Sequence, residues 1–207
     1  MSVSDAITPE QVRAHLAKRR SQGEALGMDM DRQYQRLVEL IGDVGGPLLD
    51  IGTGKGRLAT VMASAAPLVV SLDPSDEDRP FARIVIADGG AADRVALLQG
   101  VGERLPFTDG CFGAVVSHQA LHHFEDPAAI LREMVRVAQP GGVIVASDFD
   151  AAGFDVIETI HQSEGRHHPI EGWPVDRAAA FLADLGLDVR VESGPMMTAA
   201  VARLPVR

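Results

Sequence analysis

The sequence predicts an α/β fold in which helices cover both faces of a largely parallel sheet. Three observations carry that expectation. Leu48-Leu-Asp-Ile51 is a short apolar run with the form of a buried strand, and glycines at 52, 54 and 56 lead it into a helix-compatible stretch. From there strand-like and helix-like segments alternate as far as Ser147, which is the pattern of a doubly wound sheet. The chain has 207 residues, 46% hydrophobic and 23% charged, which suits one folded domain with a single core.

The elements follow in order. Thr8-Pro9-Glu10 reads as a helix start, with Thr as cap and Pro in the first turn, and Gly23 ends the helix near Gln22. A second helix over Asp29 to Ile41 sets Tyr34, Leu37, Val38 and Ile41 on one face. Gly45-Gly-Pro47 breaks the chain before strand Leu48–Ile51. Helix 55–65, strand Leu68–Leu72, helix 79–86 and strand Val95–Leu98 come next. Strand Ala114–Ser117, helix 127–137, a turn at Gln139-Pro-Gly-Gly142 and strand Val143–Ser147 complete the regular part. Between Asp148 and Pro174 the alternation is interrupted. Helix 175–185 and strands Leu187–Val191 and Met197–Ala202 close the chain.

Composition narrows the partners. The formal charge of −10 disfavours nucleic acid, whose binding rests on Lys and Arg neutralising phosphates. Lys18-Arg19-Arg20, beside Arg13 and His15, is expected to be a solvated helix face. No apolar run approaches the ~18 residues of a membrane span. The opening residues lack a signal-peptide pattern, and the single Cys111 excludes an internal disulfide and a cysteine-cluster metal site. Cys111 is expected to be a buried small residue. A cytoplasmic protein is expected, with a small-molecule partner, as monomer or homodimer.

A strand, a glycine turn and a helix start present bare backbone N–H groups to a ligand. A dinucleotide fingerprint G-x-G-x-x-G would need its third glycine at 57, where Arg57 stands. The chain carries D-x-G-x-G-x-G instead, from Asp50 through Gly52, Thr53, Gly54 and Gly56. Backbone lines such a loop, so the Lys55 chain is expected at solvent. Asp73, followed by Pro74, ends the second strand and is well placed to bond both ribose hydroxyls of an adenosine. The glycine motif resembles the first motif of the class I, Rossmann-like S-adenosylmethionine (SAM) methyltransferases.

A longer run strengthens the resemblance. It passes through Gly102-Glu-Arg-Leu-Pro-Phe107, Cys111-Phe-Gly-Ala-Val115, Leu121-His-His-Phe124, Leu131-Arg-Glu-Met-Val-Arg-Val137 and Gln139-Pro-Gly-Gly142. Order and spacing are similar to the branch containing the quinone-biosynthesis C-methyltransferases, over about residues 48–148. The resemblance implies a three-layer Rossmann-like sandwich with a seven-stranded mixed sheet, the last strand antiparallel. It implies SAM as cofactor and S-adenosylhomocysteine as product. It also implies that Gly102 and Glu103 meet the adenine edge through their backbone, and that Ser117 and His118 face the methionine end. Val101, Gly113 and Gln139 stand where the family has Asp, Asp and Lys, so Val101 offers packing instead of a carboxylate.

Two histidine groups are candidates for chemistry. His118, His122 and His123 follow the fourth strand, where the reacting methyl should lie, and histidine removes protons near neutral pH. His118 and His122 are the candidate bases, while His123 is expected to order the turn. In the interrupted segment, His161 and Glu164 share a helix face, with His167, His168 and Trp173 beyond. That group reads as an acceptor pocket, as plain surface, or as ligands for a divalent metal.

The expected organisation is residues 1–44 as helices covering the site and 45–207 as the SAM-binding domain, with 149–173 inserted over the acceptor. The expected reaction is methyl transfer to oxygen, nitrogen or carbon of a small molecule. A SAM-binding protein that does not methylate, or that uses a modified cofactor, with or without a histidine-bound metal, is the alternative. A nucleic-acid N-methyltransferase is disfavoured, because Ser117-His-Gln-Ala120 is not an N/D-P-P-Y element.

Overall fold

The computed structural model describes residues 7–43, 45–167 and 169–206. Seven strands form one sheet in the order β3-β2-β1-β4-β5-β7-β6. These are β1 (Leu48–Ile51), β2 (Val69–Asp73), β3 (Val95–Gln99), β4 (Phe112–His118), β5 (Ala138–Phe149), β6 (Asp188–Gly194) and β7 (Met197–Arg203). β1 to β5 pair in parallel, whereas β7 slots antiparallel between β5 and β6. The Rossmann-like sandwich with an antiparallel last strand is therefore present.

Alternation along the strands divides two cores. Leu48, Val69, Ala114, Val116 and Val143 face α2 (Met30–Ile41), α3 (Arg57–Met62) and α4 (Arg79–Asp88). Leu49, Val70, Val115, Ile144 and Ala200 face α5 (Pro127–Val137) and α7 (Val175–Asp184). A period of two makes each strand serve both layers, so both layers need an apolar helix face. Cys111 packs, half-buried, against the second core.

The first helix runs through Gly23 to Ala25, and several other boundaries differ from expectation. The helix after the glycine loop spans only Arg57–Met62, since the glycines keep residues 52–56 in the turn. Gln139-Pro-Gly-Gly142 belongs to β5, with a register irregularity against β4 between Phe112 and Ala114. β5 also continues past Ser147 to Phe149, because β7 matches it residue for residue up to the Phe149–Met197 pair.

The interrupted segment contains a full helix, α6 (Ala151–Ser163), whose N-cap Asp150 accepts from the Gly153 N–H at 2.8 Å. Its Val156, Ile157 and Ile160 pack on Phe149 and Met28. α1 (Pro9–Ala25) starts with a Thr8–Gln11 capping box. Only Val12 and Gly23 of it are buried, and Val12 rests on Phe81 and Val85 of α4. No helix among the described residues is long and apolar enough to cross a membrane.

Candidate active site

β1 delivers the chain into a turn through Gly52, Gly54 and Gly56, with φ of 99°, 46° and 75°. A Cβ at Gly56 would lie 2.9 Å from Ala82 Cβ and 3.1 Å from its carbonyl oxygen, so α3 and α4 close only over a bare glycine. The carbonyl of Leu72 accepts the N–H groups of Gly52 and Thr53 at 2.8 and 3.3 Å. The Asp73 carboxylate accepts from Gly54 N–H and from Ser75 N–H, each at 2.9 Å.

Asp50 is fully buried at the base of this turn. Ser71 Oγ donates to its Oδ2 at 2.7 Å and sits 2.7 Å from Thr53 Oγ1, which makes a hydroxyl relay ending on the carboxylate. The other oxygen, Oδ1, has no partner among the described residues. Burial lifts the Asp50 pKa to about 7; the Ser71 bond opposes this and the Asp73 charge adds to it.

The C-terminal ends of the neighbouring strands form the rim. A Cβ at Gly102 would press on Ile130 at 3.2 Å, Glu103 is half-buried, and Val101 is 49% exposed. Pro74 is exposed, and its carbonyl accepts from Gln99 Nε2 at 3.1 Å. Ser117 departs from expectation. Its hydroxyl donates to the Ile51 carbonyl at 3.0 Å and is buried between β4 and β1, so the side chain ties the two strands together. Lys55 also departs. Its ammonium pairs with Asp78 at 3.2 Å and lies over the Phe81 ring.

The two candidate bases prove unlike. His118 is 7% exposed, with Nδ1 2.9 Å from Ser147 Oγ and its ring edge-on to Tyr34. Its Nε2 is buried without a partner among the described residues, and burial lowers its pKa to about 4, which keeps it neutral. His122 sits in a short 3-10 turn, Leu121–His123, and its Nδ1 lies 2.8 Å from both carboxylate oxygens of Asp148. Asp148 also accepts the His122 backbone N–H at 3.0 Å and its Oδ1 accepts the Phe149 N–H at 2.9 Å. The carboxylate is therefore fixed on three donors.

His122 borders two cavities. One, of about 200 Å³, lies between α1, α6 and the end of the glycine loop; Arg57, Gln119, Phe149 and His161 are among its walls. The other, of about 400 Å³, is walled by Asp148, Phe154 and Trp173. His161 and Trp173 thus border cavities. Glu164 ends α6 and pairs with Arg19 and Arg166, and it is absent from both sets of walls. His167 is a surface residue, its side chain 88% exposed beside Glu158. His168 falls outside the described residues. Among the described residues, no group of three or more His, Cys, Asp or Glu is gathered as a metal site.

Arg19 corrects the reading of the basic stretch. Arg20 is exposed and pairs with Asp31, as a solvated face would, but the Arg19 side chain is only 18% exposed and lines the smaller cavity. Asp148 was missed altogether. It ends the fifth strand of a parallel sheet, where such folds bind ligands, and that rule was the available signal.

A glycine turn, a buried acid with an unmet oxygen and an acid closing β2 fit a nucleoside carrying a charged amino-acid tail. The fold and this cleft define a class I SAM-dependent methyltransferase, whose cofactor is S-adenosylmethionine. Residues 49–146 match the family model described as a methyltransferase domain. The chain is 31% identical over 186 residues to a demethylmenaquinone methyltransferase of Renibacterium salmoninarum, covering 79% of this chain and 76% of that one. It is 31% identical over 141 residues to a ubiquinone/menaquinone biosynthesis C-methyltransferase of Geobacter sp. (strain M21). That match covers 66% of this chain and 60% of the Geobacter protein. A SAM-dependent methyltransferase of Aquifex aeolicus has the same fold, with TM-score 0.68 and 20% identity, over 96% of this chain and 99% of that one. The chain belongs to the SAM-dependent methyltransferase family.

Proposed function

We propose that the chain methylates an oxygen or nitrogen of a small-molecule acceptor, and that His122 takes the acceptor's proton. When bound, SAM supplies an electrophilic methyl group on a sulfonium, so the enzyme's work is alignment and the exclusion of water. Asp50, the loop of Gly52, Thr53, Gly54 and Gly56, and Asp73 hold the cofactor. Pro74, Val101, Gly102 and Glu103 border its adenosine end, while His118 and Ser117 keep the β4 end rigid.

One observation carries the role of His122: both Asp148 oxygens stand at 2.8 Å from its Nδ1. With Nδ1–H donated to the carboxylate, Nε2 is the nitrogen that accepts a proton, and Asp148 stabilises the imidazolium that results. With SAM bound, the methyl's C–S bond would be exchanged for an O–C or N–C bond to the acceptor, S-adenosylhomocysteine would leave, and Nε2 would take the acceptor's proton. His118 supports no such role, because burial lowers its pKa to about 4 and so penalises the imidazolium it would have to become.

Incubating the protein with SAM and a panel of hydroxylated and amino metabolites, read by mass, identifies an acceptor. With it in hand, His122→Gln and Asp148→Asn are expected to lower kcat by ~10²–10⁴-fold, the usual worth of a general base. Affinity for S-adenosylhomocysteine should stay the same. Full turnover in a folded His122→Gln variant would remove His122 from the chemistry.

A further inference from the structure

We infer that the smaller cavity takes an acceptor bearing an anionic oxygen group, a carboxylate or a phosphate, bound by Arg19 and His15 of α1. The inference rests on the methyltransferase reading and adds the acceptor's chemical class. The chain carries a net charge of −10, yet no described residue lining this cavity is an Asp or Glu. His15, Arg19, Lys55, Arg57 and His161 all line it. A chance sampling of an acidic surface would give the reverse.

The cations are held from behind, so their charges are set toward the cavity. Glu164 is 3.3 Å from Arg19 and Asp78 is 3.2 Å from Lys55, and neither acid is among the lining residues. Glu164 also serves Arg166, which leaves Arg19 only a share of that carboxylate. Arg57 makes no ion pair among the described residues; its guanidinium lies over Tyr34 and meets the Met30 sulfur at 3.3 Å. His15 Nε2 is buried with no partner among the described residues.

The electrostatics agree. Burial lowers the proton affinity of His15, with Lys55 and Arg19 adding to the effect. Burial likewise lowers that of His161, with Arg166 and Arg19 adding. An anion would offset the influence of these neighbouring cations. Leu16, Met28, Ile157 and Ile160 supply apolar walls, so the cavity suits a small apolar body with one charged end. Lys55 and Arg57 belong to the glycine loop and the helix start that follows it, the side on which the cofactor would lie. Arg19 and His15 come from α1 and are left for the acceptor.

The test is calorimetry on protein saturated with S-adenosylhomocysteine, so that the cofactor's carboxylate is already placed. Benzoate, its neutral isostere benzamide and inorganic phosphate are the probes. Benzoate or phosphate should bind while benzamide binds at least ~10-fold more weakly, since charge-assisted bonds exceed neutral ones. The preferred anion distinguishes a carboxylate acceptor from a phosphorylated one. Arg19→Gln and His15→Gln should each weaken that binding several-fold and leave S-adenosylhomocysteine affinity within a factor of about three. Benzoate binding no better than benzamide together with no binding of phosphate, or anion affinity unchanged in both variants, would overturn the inference. Failure of S-adenosylhomocysteine itself to bind would instead reject the methyltransferase reading.

Discussion

Asp73 Oδ2 accepts the N–H of Gly54 at 2.9 Å, so the acid that ends β2 clamps the turn that leaves β1. Its other oxygen caps Ser75. The residue read from sequence as a ribose ligand therefore has a second duty, holding the loop in shape before any ligand arrives.

Asp73→Ala is accordingly expected to weaken S-adenosylhomocysteine binding tenfold or more, because hydrogen bonds to a charged group contribute ~1.5–3 kcal/mol each. Asp73→Asn should lose less, since its amide oxygen still accepts from Gly54. Calorimetry on the three proteins checks the ranking. Equal affinities would reduce Asp73 to a turn residue.

Asp50 predicts a pH dependence with a definite sign. Its folded pKa of about 7 stands above its ordinary 3.8, so the folded state binds more protons than the unfolded state between these values. Stability from this group is complete below about pH 4 and is lost as pH rises toward 7, on the order of a few kcal/mol. His118 acts oppositely. Its pKa falls from 6.5 to about 4, so its contribution is complete above 6.5 and is lost as pH falls through 4. Urea unfolding of the ligand-free protein and of Asp50→Asn isolates the first effect. The variant's advantage should grow from pH 5 to pH 8. A constant difference would show that Asp50 is not a buried, strained acid.

The motif Leu131-Arg-Glu-Met-Val-Arg136 has a physical purpose that its spacing alone did not reveal. The Arg136 guanidinium donates to the carbonyls of Phe107 at 2.8 Å and Leu105 at 3.1 Å, and to Glu133 at 2.6 and 2.7 Å. Those bonds pin the loop after β3 to α5. A lysine has no planar fork to span these acceptors. Arg136→Lys should cost ~1–3 kcal/mol of stability, seen as a lower urea midpoint. An unchanged midpoint would mark the network as incidental.

Legibility follows the range of the forces involved. The glycine turn was readable because left-handed φ at Gly52, Gly54 and Gly56 is a local demand. Its N–H groups, expected bare, are instead taken by the Leu72 carbonyl at Gly52 and Thr53, by Asp73 at Gly54 and by the Thr53 carbonyl at Gly56, which residues 50–56 alone do not reveal. The two-sided sheet was readable because strand and helix periods repeat. The His122–Asp148 pair was not, since parallel pairing of β4 and β5 brings together residues 26 apart. The burial of Arg19 was hidden for another reason. α1 has no apolar stripe, so nothing in its pattern says which side faces the protein. In α6 the spacing of Val156, Ile157 and Ile160 was present in the sequence, but the polar and aromatic density drew the reading to a site, and only His161 and Glu164 were placed on a helix face.

The final prediction concerns how residues 169–174 reach the site. The His122 carbonyl accepts the N–H groups of Glu171 and Gly172, both at 2.9 Å. A Cβ at Gly172 would lie 1.9 Å from the Leu121 carbonyl oxygen, with backbone on both sides. Neither backbone can yield without moving the turn that carries His122. Gly172→Ala should therefore push this segment away from the turn. Trp173 follows directly and is the chain's one tryptophan, packed edge-on to Phe181 and under the Arg177 guanidinium at 4.1 Å. Its fluorescence reports the displacement without any knowledge of the acceptor. The variant should show a red-shifted, more quenchable emission and a stability loss of ~1–3 kcal/mol, as overpacked sites do. S-adenosylhomocysteine affinity should hold, because the glycine loop lies on other strands. An unchanged spectrum with wild-type stability would mean that residues 169–174 are not seated on the His122 turn.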